Sequence, residues 1–119
     1  MRETQDARWF SAKVRLVCLM EPTGAVRYMD SVYVFRSVDF QTAFTRALEL
    51  GKSQEKTYYN VDKQKVVWKL AEIVSLDMIT AASLNGAEVY SEPVDLAPED
   101  ALPMDAVLHP EHSEPTQTL

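Results

Sequence analysis

The sequence is poor in the residues that most often carry chemistry. It has one cysteine, Cys18, so an internal disulfide is excluded and the lone thiol suits a reducing compartment. Its two histidines, His109 and His112, both lie near the C-terminus. A Ser-His-Asp or Cys-His arrangement built within the body of the chain is therefore excluded. The three glycines, Gly24, Gly51 and Gly86, are far apart, so no glycine-rich loop is present to cradle a phosphate. The longest unbroken apolar run, Leu16 to Met20, is five residues, against the roughly 20 that a membrane-spanning helix needs. The polar start, Met1 to Arg8, has no apolar segment behind a basic residue, which argues against a signal peptide. These absences predict a cytoplasmic protein without membrane contact, and they argue against an enzyme, a cofactor or a metal.

Basic residues are missing from the last part of the chain. All 12 Lys and Arg lie at or before Lys69, whereas residues 92–119 hold seven acids, no base and five of the six prolines. Residues 1–91 are nearly balanced, with 12 bases against 11 acids, so the tail supplies the net charge of −6. The division is an α+β domain over residues 1–91 and an acidic, Pro-rich C-terminal tail over residues 92–119. A body of this size buries about 60 to 65% of its unfolded surface, enough for one two-layer core. In the tail, Leu96, Leu102, Met104, Val107 and Leu108 mix with Asp95, Glu99, Asp100 and Asp105. Such a pattern either solubilises or orders on meeting a partner.

What is present is strand and helix periodicity. From Trp9 to Met20 the chain alternates, with Phe10, Ala12, Val14, Leu16, Cys18 and Met20 on one side and Ser11, Lys13 and Arg15 on the other. Cys18 thus falls on the apolar face as an inert thiol. Glu21-Pro22-Thr23-Gly24 reads as a tight reversal into a second strand, Val26 to Arg36, apolar on both faces. Ser37 or Asp39 can cap a helix in which Phe40, Ala43, Phe44, Ala47 and Leu48 form one stripe before Gly51. A third strand begins at Glu55 and ends at Tyr59. Asn60 to Lys63 turns, and Lys65 to Leu76 forms a fourth, with Val66, Trp68 and Leu70 on one face and Lys65, Val67, Lys69, Ala71 and Ile73 on the other. A short fifth strand is expected at Ala87 to Tyr90. The order predicts an antiparallel sheet of four to five strands with one amphipathic helix packed on one face.

Three segments in order, Trp9-Phe10-Ser11-Ala12-Lys13, Tyr58-Tyr59-Asn60 to Val67-Trp68-Lys69-Leu70, and Gly86-Ala87-Glu88-Val89-Tyr90-Ser91, resemble a family of small bacterial proteins, domain-of-unknown-function family 4288. The similarity covers residues 8 to 91. The family favours a Gly-Glu-like turn where this chain has Asp62-Lys63-Gln64, and an aromatic where it has Leu70. The resemblance implies a bacterial cytoplasmic α+β domain and brings no mechanism with it.

Candidate binding residues follow from the polar strand faces. Lys13 and Arg15 on the first strand, Lys65 and Lys69 on the fourth, and Trp9 in phase with the first pair make a basic patch with an aromatic if their faces coincide. Tyr58 and Asn60 join them at the middle strand pair. The opposing possibility is an ordinary solvated sheet surface, or a patch that the acidic tail covers in cis. One helix cannot cover both faces of such a sheet, so a homodimer through the other face, or cover of that face by the tail, is expected. The reading is a non-enzymatic protein-binding or accessory module, immunity-like in size and acidity. The alternative is single-stranded nucleic-acid or RNA binding through the basic face, and a third is a small enzyme using Glu55, Tyr58 and Asn60. Flexible His-x-x-His at His109 and His112 falls short of the four fixed ligands of a structural zinc site.

Overall fold

The computed structural model describes residues 7–92, 94 and 97–116. Asp95 and Leu96 of the tail lie outside the described residues, as do both ends of the chain. Strands β1 (Arg8–Met20) and β2 (Gly24–Ser37) form a long hairpin, helix α1 (Phe40–Ser53) follows, and β3 (Lys56–Tyr59) and β4 (Lys65–Ile79) complete the sheet. The sheet is antiparallel throughout, in the order β2-β1-β4-β3. Among the described residues the architecture is α+β, a four-stranded antiparallel sheet with one α-helix. The expected fifth strand does not form: Ala87 to Tyr90 makes no ladder, and Gly86, at φ 79°, has already turned the chain.

Phe10, Ala12 and Val14 of β1, Phe35 of β2, and Ala43 and Ala47 of α1 form the buried core, with Tyr33, Leu50, Leu70, Ile73 and Leu76 packed against it. Asp39 begins the helix, its carboxylate accepting the Thr42 N–H at 2.7 Å. The buried line of the helix is Ala43, Ala47 and Gly51, while Phe40 and Phe44 are half exposed at its flank. The expected stripe is thus rotated, because small residues let the helix backbone approach the strands. A Cβ on Gly51 would stand 2.6 Å from Leu70 Cδ1 and 3.1 Å from Val14 Cγ1. Phe40 still contributes, meeting Phe10 edge-on at 5.0 Å.

Strand β4 departs from simple alternation. Its register against β1 shifts twice, leaving Val74 and Ala71 as extra residues. Each extra residue moves the following side chains to the other side of the sheet. Ile73 therefore shares the core side with Leu70, opposite Val14 and Leu16, rather than lying with Lys69 as its spacing predicts. Cys18 is buried and free. Among the described residues no helix is long and apolar enough to cross a membrane.

Candidate ionic cluster on the outer sheet side

Alternation along β1 turns Trp9, Ser11, Lys13 and Arg15 away from Phe10, Ala12 and Val14. The register sets Arg15 opposite Asp30 on one flank and Glu72 on the other. Arg15 Nε and Nη2 donate to the two Asp30 oxygens at 2.7 and 2.9 Å, a bidentate fork, and Nη1 lies 3.8 Å from Glu72. Lys13 Nζ donates to Tyr90 Oη at 3.2 Å and Glu92 Oε1 at 3.1 Å, stands 5.0 Å over the Tyr90 ring, and is 3.7 Å from Asp30. The hydrogen bond from Arg15 holds the Asp30 carboxyl below its usual range, and Tyr90, then Glu92, raise the Lys13 ammonium above its own. Two cations meet three carboxylates here, so this part of the face carries no positive excess.

The strap from Ala87 to Glu92 reaches this side past the end of β4, where Asp77 to Thr80 and Glu88 to Ser91 line a shared crevice. On the same side, the Ser11 and Ser75 hydroxyls are buried without a hydrogen-bond partner. The first acid of the tail therefore lies on the sheet, whereas Leu102, Met104, Val107 and Leu108 further along are exposed.

The other candidate residues divide between sites. Lys69 is opposite Val17, on the side of Arg15, and Lys65 pairs with Tyr59 some 13 Å further along β4 at about 3.3 Å per residue. Trp9 stacks under the Arg36 guanidinium, 5.7 Å away. Tyr58 shares the side of Val66 and Trp68, and its hydroxyl accepts the Trp68 indole N–H at 3.3 Å, so it is not brought to the lysines. Asn60 builds the β3–β4 turn: its Oδ1 accepts the N–H groups of Asp62 and Gln64, both at 2.9 Å. Glu55 accepts the Leu70 N–H at 2.9 Å. Glu55, Tyr58 and Asn60 are thus each engaged in local structure.

Strand patterning did not single out Asp30 and Glu72 as the partners of Arg15. Arg15 faces Asp30 because Met20 pairs with Gly24 and an extra residue at Val26 then shifts the hairpin register by one. Glu72 faces Arg15 because the bulge at Ala71 sets its position. On the outer side of β2, Tyr28 is 64% exposed and Val32 and Val34 are 43% and 42% exposed. Among the described residues this strand is a sheet edge, paired with β1 alone.

Fold and site together define a small antiparallel α+β domain that presents a partly apolar, charge-paired sheet surface. Over residues 9–91 the chain matches the family described as a domain of unknown function, DUF4288, and belongs to it. No curated protein and no solved structure matches the chain.

Proposed function

We propose that this is a non-enzymatic bacterial binding module of the cytoplasm. In this reading α1 closes one face of the sheet, and the opposite face docks protein, first of all a second copy of the chain. The observation that carries it is the exposed stripe Tyr28, Val32 and Val34 on the edge strand β2. The three apolar side chains lie on one side of the strand, interrupted by Asp30, whose carboxylate is held by Arg15, and exposed apolar groups so gathered favour docking over solvation. The three long strands have 13 to 15 residues. At about 4.8 Å between strands and 3.3 Å per residue they offer roughly 600 Å² in projection. The strap from Ala87 to Glu92 already covers part of that area, so the remainder is smaller than the ~800 Å² each partner contributes to a standard interface. An accessory or immunity-like role, in which the module blocks another macromolecule, is the concrete form, and small size and acidity support it.

Nucleic-acid binding is the competing reading, and Lys65, Lys69 and the exposed Tyr59 on one sheet side are what favour it. The carboxylates around Lys13 and Arg15 weigh against it. Sedimentation velocity of the full chain at low and high salt, with and without a labelled single-stranded oligonucleotide, separates the two. The expected result is a dimer at both salt concentrations with no oligonucleotide bound. Binding of the oligonucleotide that collapses with salt would overturn the protein-docking reading.

A further inference from the structure

Among the described residues, one cluster of ligand-type side chains is assembled outside the sheet. His109, Glu111 and His112 straddle a single 3-10 turn, Pro110–His112, and their ligand atoms lie within 4.8 Å of one another. Glu111 Oε2 is the hub, 3.2 Å from His109 Nδ1 and 3.9 Å from His112 Nε2. The two imidazole rings lie nearly parallel, 5.3 Å apart with 14° between their planes, so both present nitrogens to the same carboxylate oxygen. Pro110 restricts the backbone between the donors, which lowers the ordering cost of bringing them together.

We propose that His109, Glu111 and His112 form a binding site for one divalent transition-metal ion. Donors around a tetrahedral ion with bonds of about 2.0–2.1 Å stand about 3.3 Å apart. The shorter separation here, 3.2 Å, is already of that size, the other carboxylate distance is 3.9 Å, and all three residues are exposed, which leaves their side chains room to turn toward an ion. Two imidazoles and one carboxylate suit Zn²⁺, and Ni²⁺ or Cu²⁺ beside it, whereas Mg²⁺ and Ca²⁺ favour oxygen ligands. Three protein ligands leave at least one coordination position for water or for a side chain of a docked protein. The sequence spacing His-x-x-His supplies only two of the donors; the turn geometry that folds Glu111 between them supplies the third.

The test is isothermal titration calorimetry of the full chain, any affinity tag removed, with ZnCl₂. The expected result is one ion per chain, with His109→Gln and His112→Gln each weakening binding. Losing a direct ligand should cost at least the roughly 10- to 100-fold that losing a supporting partner costs. The control Asp105→Asn, another acid of the tail, should bind as the native chain does. In NMR spectra both histidine rings should shift together on titration. No heat with ZnCl₂, heat unchanged by either histidine substitution, or equal binding of CaCl₂ would overturn the proposal.

Discussion

Gly51→Ala adds one methyl group where α1 comes nearest the sheet, and the geometry sets its cost. The new Cβ would stand 2.6 Å from Leu70 Cδ1, 3.1 Å from Leu70 Cδ2 and 3.1 Å from Val14 Cγ1. Leu70 is only partly buried and can swing aside, but Val14, on the central strand β1, is 1% exposed and has nowhere to go. Overpacking of this kind costs about 1–3 kcal/mol. Alanine recovers at most about 1 kcal/mol in helix propensity, less in a last turn. The net expectation is a destabilisation of about 1 kcal/mol, a fall in urea midpoint of roughly 0.5–1 M for a slope of about 1–2 kcal/mol/M. Urea unfolding followed by circular dichroism measures it. Because the shortest contact is to Leu70, the double variant Gly51→Ala/Leu70→Ala should lose less than the two single variants combined, by about 1 kcal/mol. If Gly51→Ala matches or exceeds the native stability, the helix does not sit where these distances place it.

Three further outcomes follow from other parts of the molecule. Lys63 has φ 63°, a left-handed conformation that costs a side-chain-bearing residue roughly 1–2 kcal/mol, so Lys63→Gly should raise the urea midpoint with an unchanged slope. Glu92→Gln should loosen the strap on Lys13 and speed amide hydrogen exchange over residues 87–92, leaving the core strands unchanged. Asp30 gives a pH dependence. Its folded pKa lies below the unfolded value because of the Arg15 hydrogen bond, so the unfolded chain binds the proton more tightly. Its contribution is then present above the ordinary carboxylate range, near pH 4, and lost as pH falls through the folded value. Unfolding curves of the native chain and Asp30→Asn should therefore converge in acid and separate above about pH 5; a constant difference across that range would contradict the role of the Arg15–Asp30 pair.

The strands were legible because period-two patterning is long and clean in β1 and turn residues flank it: Pro22 and Gly24 on one side of β2, Asn60 on the near side of β4. The helix was legible from its apolar spacing and from Asp39. Its rotation was not, since Phe40 and Phe44 outweigh Ala43 and Ala47 in any count of hydrophobicity, while the packing rewards the smaller pair and Gly51. The bulges at Ala71 and Val74 left no mark in residue type, and with them went the placement of Ile73 and Glu72. The Lys13–Glu92 contact was legible only as charge asymmetry, because 79 residues of chain separate the partners. Asn60 was expected at the turn between the third and fourth strands, and its side chain builds that turn by accepting two backbone N–H groups.

The docking surface is tested most directly by native mass spectrometry of the full chain beside two single variants. Val32→Lys places a charge in the exposed stripe of β2, and Val61→Lys places one at the β3–β4 turn, where Val61 is 97% exposed. The account expects a dimer for the native chain and for Val61→Lys, and a folded monomer for Val32→Lys. A native chain that is monomeric throughout, or a dimer that Val32→Lys leaves intact, would contradict it.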